Sequence, residues 1–378
     1  MLQKFSGIRL DLRLAASFAL AASLAACGGG STTTAGGDAT QTGDVAAAGA
    51  LDSQVALTGA GATFPAPLYQ NWFVELNKKV PNLQVNYQSV GSGAGVEQFT
   101  AETVDFGASD TAMKDEELSA VKKGVLMLPM TAGSIVLAYN LPGVETGLKL
   151  PRDVYVDILM GKITKWNDPK IAAANSGVNL PDLPITVVHR SDGSGTTGVF
   201  TKHLSAISPE WKSTIGDGKS VEWPKSGNFV GGKGNEGVTA QIQQTQGAIG
   251  YVEYGYAANN NLAFASLENK AGDFVTPDAQ SAATTLDAVK LPENLRAFIT
   301  DPEGAGSYPI VTYTWLLVNP QYEDAAKAKA MEIMVEYGLN EGQEVAGTLG
   351  YVPLPKGVRE QVAAAADKIS PDYSITLK

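Results

Sequence analysis

The densest concentration of potential chemistry in the chain is the run "HRSDGSGTT", His189 to Thr197, which holds one arginine, one aspartate, two glycines and four hydroxyls. A serine nucleophile would need Gly-x-Ser-x-Gly, but the positions two away from Ser194 are Asp192 and Thr196. It would also need a histidine base; His189 precedes the motif on the same predicted strand and His203 sits on the helix the motif opens, so neither is an obvious partner. A second stretch, "GNFVGGKG" (Gly227 to Gly234), satisfies Gly-x4-Gly-Lys but ends in a glycine where a nucleotide-binding loop needs the hydroxyl of Ser or Thr. The segment before it, "VEWPKS", is not a buried apolar strand, so "GGKGNEG" reads as a flexible turn before a helix near Val238 to Gln244. Anion capture fits the first run better. Arg190 supplies charge and a planar fork of donors, while Ser194, Gly195 and Thr196 supply hydroxyls and helix-end N–H groups. The plainer alternative is a solvated arginine paired with Asp192.

Three segments share one layout, a Gly/Ser/Thr-rich turn running into a helix: "TGAGATFPAP" (Thr58 to Pro67), "VGSGAGVEQF" (Val90 to Phe99) and "RSDGSGTTGVF" (Arg190 to Phe200). A helix amino end has unpaired N–H groups and the positive pole of its dipole, which together favour an anion. Glycine admits the ligand close to the backbone, and Ser or Thr adds a donor.

The elements that must position these turns alternate between strand and helix. Leu83–Val90, Gly133–Asn140, Ile185–Arg190 and Ile310–Asn319 read as strands; Pro67–Val80, Val96–Thr103, Thr197–Ser205, Ala325–Tyr337 and Arg359–Ile369 carry helical periodicity. Such alternation predicts an α/β architecture. No repeat of 20 to 50 residues is present, which sets solenoids and propellers aside. The 378 residues carry 28 basic and 39 acidic side chains, a net charge of −11, so nucleic acid and polybasic membrane binding are excluded as functions. Any anion must therefore be held by local groups against the net field. Two histidines and one cysteine leave little material for a zinc or copper site, and neither a metal nor a cofactor is expected.

The amino end predicts export. Lys4, Arg9 and Arg13 precede an apolar run, Leu14 to Ala26, too short to span a membrane. "SLAAC" (Ser23 to Cys27) looks like a lipobox, with cleavage before Cys27 and lipidation of its thiol; ordinary cleavage after Ala-x-Ala with a bystander cysteine is the competing reading. Residues 1–26 are thus expected to be a lipoprotein signal peptide and 27–50 a lipidated cysteine with a Gly/Ser/Thr/Ala tether.

"LTGAGATFPAPLY", "VDFGASD", "VVHRSDGSGTTGVFT", "GGKGNEGV" and "GAIGYVEYGYA", in this order, resemble the phosphate-binding protein family of the high-affinity phosphate ABC transporter. The resemblance covers nearly all of the body from about Leu57, more loosely over the last fifty residues. It implies a two-lobed periplasmic-binding-protein-like α/β fold of type II, each lobe a mixed sheet flanked by helices, with two hinge crossovers. Lobe I would comprise 51–136 plus 311–378 and lobe II 137–310, with hinges near Gly133–Asn140 and Ile310–Asn319. It also implies a dehydrated phosphate held by hydrogen bonds alone. Thr63 and Phe64 would donate backbone N–H groups and Thr63 its hydroxyl; Ser92 would give N–H and hydroxyl; Arg190 would pair with the anion, braced by Asp192; Ser194, Gly195 and Thr196 would close the far side. Asp110 would accept a ligand proton. A bare carboxylate repels a fully ionised tetraoxyanion but accepts from one that keeps a proton, so it would admit phosphate and reject sulfate. His189 stands where many relatives place a second arginine, and Ser191 where alanine is common.

The function expected is phosphate capture outside the inner membrane and delivery to an ABC permease with a cytoplasmic ATPase, by a monomer held to a membrane only through its lipid, in the periplasm or anchored at the inner or outer membrane. No catalysis is expected. Arsenate is protonated like phosphate and stays open as the ligand; an exported phosphatase is the rival of another class. At a ceiling of about 1.5 kcal/mol per heavy atom, a five-atom ion gains roughly 7.5 kcal/mol, near micromolar affinity, so nearly every lone pair must meet a preset donor.

Overall fold

The structure, a computed structural model, describes residues 51–378. The predicted signal peptide (1–26), Cys27 and the tether (27–50) lie outside the described residues. Twelve strands are present among those described: β1 Val55–Gly61, β2 Leu83–Ser89, β3 Phe106–Ser109, β4 Leu126–Tyr139, β5 Lys149–Leu150, β6 Thr186–Arg190, β7 Asn228–Gly232, β8 Ala248–Glu253, β9 Ala263–Phe264, β10 Ser266–Glu268, β11 Phe274–Val275 and β12 Val311–Val318. Nine form one sheet in the order β2-β1-β3-β12-β4-β8-β6-β7, with β9 added to β4; β11-β10-β5 form a small second sheet.

The large sheet is mixed, with a parallel group at each end. In the first group β1 runs parallel to β2 and β3, and in the second β6 runs parallel to β7 and β8. Between the groups lie β12 and β4, antiparallel to each other and to their outer neighbours. β4 serves both sides. Its residues to Ser134 pair with β12, and those from Ile135 onward pair with β8. At that switch the Ile135 N–H donates to Ile310 O at 2.9 Å, so the two chain passages lie side by side.

Each predicted strand and helix has a counterpart, with shifted bounds. β4 begins seven residues before the predicted Gly133 and runs through Pro129. Proline gives a ladder no N–H, and the register with β12 shifts at Thr314/Trp315, opposite Pro129, where the regular pairing is broken. The helix predicted at Val96–Thr103 runs Ser92–Thr100, so its first turn is the glycine-rich "SGAG" itself. "TGAG" of the first predicted turn is the end of β1 rather than a turn. A larger correction concerns "GNFVGGKG". It is not a flexible turn: Asn228–Gly232 form β7, paired residue by residue with β6, and the helix starts at Gly234.

The helix Ala66–Lys79 shows how the core forms. Leu68, Tyr69, Trp72, Phe73 and Leu76 recur on one face and are buried, while Lys78 and Lys79 complement the dipole at its last turn. The core continues through β4 and β12, whose residues are buried from Met127 to Tyr139 and along all of Val311–Val318. Fully buried runs of this kind read as near-continuous apolar sequence rather than alternation.

Candidate functional site

Five strands, three from one parallel group and two from the other, end at one place, and each delivers a polar residue there. Thr63 follows β1, Ser92 follows β2, Asp110 follows β3, Arg190 ends β6 and Asn235 follows β7. Ligands of open α/β sheets bind beyond the carboxyl ends of strands, where the turn leads into a helix. Four of the turns do so here, into the helices Ala66–Lys79, Ser92–Thr100, Gly195–Ile207 and Gly234–Gln244.

The second strand group carries the charge. Arg190 is buried, its Nε donates to Asp192 Oδ1 at 2.8 Å and its NH2 to Asp192 Oδ2 at 2.5 Å, a planar two-point pairing. Asp192 Oδ1 also accepts the Gly234 N–H at 3.0 Å. Burial alone would raise the Asp192 carboxyl, but the Arg190 guanidinium and the Gly234 N–H outweigh it and hold it below the usual carboxylate range. The Arg190 N–H donates to Tyr251 Oη at 3.0 Å, which fixes the strand end. Ser194 is the N-cap of the helix Gly195–Ile207; its Oγ accepts the Thr197 N–H at 3.0 Å, leaving the hydroxyl proton for another acceptor. Ser194 thus performs a capping role, and no proton-accepting histidine stands beside it: His203 Nε2 pairs with Tyr155 Oη at 2.8 Å, and His189 Nδ1 lies 3.0 Å from Arg190 O. The His189 ring stacks on Trp223 with centroids 4.9 Å apart, on the face of β6 opposite Arg190, since side chains alternate along a strand.

The first strand group carries the acceptor. Asp110 is buried; its Oδ1 accepts from Thr314 Oγ1 at 2.9 Å, its N–H donates to Ser92 Oγ at 3.2 Å, and its carbonyl accepts from Thr312 Oγ1 at 3.0 Å. Burial pushes the Asp110 carboxyl up to about 7, against the downward pull of Thr314, Arg190, Ser92 and Thr196. Asp110 Oδ2 faces the other group, 3.4 Å from Ser92 Oγ and 3.5 Å from Thr196 Oγ1. Thr196 Oγ1 in turn lies 3.4 Å from Arg190 NH1 and 3.4 Å from Asn235 Nδ2. These four distances stand at the outer limit of hydrogen bonding, so the groups converge without satisfying one another strongly.

The two groups touch across this point. Gly93 N–H donates to Gly193 O at 2.8 Å, and Gly91, at φ 95°, brings its backbone so near that a side chain there would meet Asp192 Oδ2 at 2.4 Å. At Gly195 a Cβ would lie 2.3 Å from Ser92 Oγ and 2.8 Å from Asp110 Cβ. Thr63 and Phe64 occupy the turn after β1, both buried, with their carbonyls accepting from Tyr256 Oη and Tyr351 Oη at 2.7 Å each.

The eight predicted binding positions and Asp192 are therefore assembled at the strand ends. Two further residues were not singled out from the sequence. Thr314 orients Asp110 from 204 positions away, and Asn235 bonds to Thr63 across 172 positions. Asn235 belongs to the "GGKGNEG" stretch, whose glycine content masked it. These converging groups form a polar cage; a cavity of about 310 Å³ lies beside it and shares with it only Asp110 among the predicted binding residues, with Lys219 and Glu117 paired at 2.5 Å on the cavity wall and Lys202 4.1 Å above the Phe298 ring.

The sequence profile of the PBP superfamily domain matches residues 30–332. The phosphate-binding protein PstS of Pasteurella multocida is 46% identical over 82% of this chain and 89% of its own length. PstS of Xylella fastidiosa (strain Temecula1) is 43% identical over 82% of this chain and 84% of its own. Among solved structures, a high-affinity periplasmic phosphate-binding protein (PfluDING) bound with phosphate superimposes with a TM-score of 0.68 at 21% identity, covering 82% of this chain and 93% of that one. At that identity the superposition bears on the fold, and it is the fold of a periplasmic binding protein.

Proposed function

This chain belongs to the PstS phosphate-binding proteins of the PBP superfamily, and from that membership we propose that it binds inorganic phosphate among the five strand ends and hands it to an ABC-type import permease. The observation that carries the reading is the electrostatic make-up of the cage. One guanidinium, Arg190, is braced by Asp192, a set of neutral donors surrounds it, and a single buried acid, Asp110, faces them. Donors match the bare oxygens of a tetrahedral anion, and the acid matches the one oxygen that keeps a proton.

In this reading Thr63 and Phe64 donate backbone N–H groups, Thr63, Ser92, Ser194 and Thr196 donate hydroxyls, and Gly195 donates the first free N–H of its helix. Arg190 adds charge. The body works as two lobes, 51–136 with 311–378 against 137–310, which open and close about the adjacent passages at Ser134–Ile135 and Ile310–Val311. The change of partner along β4 supports this division, since only two neighbouring strands join the parallel groups. The protein catalyses no reaction; it is exported, tethered through Cys27, and meets its permease outside the inner membrane.

Calorimetry of the purified protein against phosphate, sulfate and arsenate at pH 8 tests the reading. One phosphate per chain with no measurable sulfate binding is expected. Absence of phosphate binding, or sustained hydrolysis of a chromogenic phosphate ester, would overturn it.

A further inference from the structure

Asn235 is fully buried at the start of the helix Gly234–Gln244, and every hydrogen-bonding group of its side chain is engaged. Its Oδ1 accepts the Glu253 N–H at 2.9 Å. Because a backbone N–H can only donate, that contact fixes which end of the amide is oxygen, and hence directs Nδ2 toward the cage. Nδ2 donates to Thr63 Oγ1 at 2.8 Å and lies 3.4 Å from Thr196 Oγ1. The Asn235 backbone N–H also donates to Thr63 Oγ1, at 3.1 Å.

A hydroxyl has two lone pairs and one proton. Both lone pairs of Thr63 Oγ1 are occupied by Asn235, so its proton has one use left, to donate away from Asn235. Thr196 is constrained in the same sense: Arg190 NH1 and Asn235 Nδ2 approach its lone pairs, and its proton is left for Asp110 or a ligand. Thr63 follows β1 and Thr196 follows β6, so one amide governs a hydroxyl from each strand group.

We propose that Asn235 is a positioning residue for the anion: it makes the Thr63 and Thr196 hydroxyls donor-only, that of Thr196 within its own strand group and that of Thr63 only when the two groups are together. The inference rests on the phosphate reading above and deepens it. A hydroxyl free to turn would present a lone pair to an anion for part of the time, and that orientation is repulsive. With the rotors set, Asp110 is left as the one acceptor in the cage, which matches an oxyanion carrying a single proton. Because the bonds of Asn235 to Thr63 cross between the groups, they also help to keep the closed form closed around its ligand.

The test is a double-mutant cycle in the full protein, with phosphate affinity by calorimetry and dissociation rate by stopped flow. Asn235→Ala is expected to weaken phosphate binding about tenfold, mainly through faster dissociation, and Thr63→Val by a similar factor. If Asn235 acts through the Thr63 hydroxyl, the double variant stays near the single ones, with a loss much below the product of the two. Losses that multiply to about a hundredfold would assign Asn235 a general structural role and overturn the proposal. Should the alanine variant fail to fold, Asn235→Ser takes its place in the same cycle. Wild-type protein that bound no phosphate would instead sink the phosphate reading itself.

Discussion

The two parallel strand groups meet across the site with the same local plan and opposite electrostatics. On each side a strand ends, a glycine-rich turn follows, and a helix begins. The β6 side presents Arg190, the helix start at Gly195 and the Ser194 cap; the β1–β3 side presents Thr63, Ser92 and the buried acid Asp110, oriented by Thr312 and Thr314 of β12. In the proposed reading one side answers the charge of an anion and the other reads its proton. Arg190 is already engaged with Asp192, so the ionised groups largely offset each other and most of the attraction must come from oriented neutral donors. Neither group alone surrounds a tetrahedral ion, so in the proposed reading closure of the two groups is part of binding.

The comparison is most directly broken on its charged side. Arg190→Ala removes the buried cation and leaves the half-buried Asp192 facing the anion with only the Gly234 N–H as partner, and losing one member of such a charge pair costs about 2–5 kcal/mol. Phosphate binding is expected to weaken by a factor of about 10² to 10³ by calorimetry. The double variant Arg190→Ala/Asp192→Ala separates the two causes. Partial recovery is expected, because it removes the stranded carboxylate, and affinity within about tenfold of wild type in the single variant would place the site elsewhere.

A smaller perturbation acts on the contact between the groups. At Gly195→Ala the new methyl would sit 2.3 Å from Ser92 Oγ, so the groups could not reach their present separation. Binding about tenfold to a hundredfold weaker is expected, and phosphate-induced compaction measured by small-angle scattering should shrink with it. Gly357→Ala is the control, since a Cβ there meets nothing within 4 Å. Unchanged binding in Gly195→Ala would show that the closeness of the two groups is incidental.

How much of this was legible in the sequence differs along the chain for physical reasons. Strands such as β2 and β12 announce themselves by β-rich composition, and the helix Ala66–Lys79 by its apolar face. The binding residues lay in short motifs whose meaning came from family resemblance, because Asp110 or Ser194 taken singly is more readily a cap, and Ser194 is indeed one. β7 was hidden because glycine has poor strand propensity and its pairing with β6 is a tertiary fact. Asn235 and Thr314 were hidden for a related reason. An amide or a hydroxyl carries no local sign of the partner that gives it a role, and their partners lie 172 and 204 positions away.

The proton-reading side makes the smallest and most specific prediction. Burial raises Asp110 from 3.8 to about 7, so between those values the folded protein holds a proton that the unfolded chain has released. Its contribution to stability is therefore full below pH 3.8 and is lost as pH rises toward 7, by up to about 1.4 kcal/mol per pH unit. Asp110→Asn keeps the size of the side chain and removes this dependence. In phosphate-free denaturation the variant should gain on wild type as pH is raised from 5 to 8. The same change should raise sulfate binding relative to phosphate by about tenfold, since the repelling carboxylate is gone while the Arg190 side is intact. A stability gap that does not vary with pH would mean that Asp110 is ionised throughout, and an unchanged sulfate-to-phosphate ratio would mean that the other strand group alone decides which anion enters. The two results together ask whether the acid that costs stability at neutral pH is the one that confers selectivity.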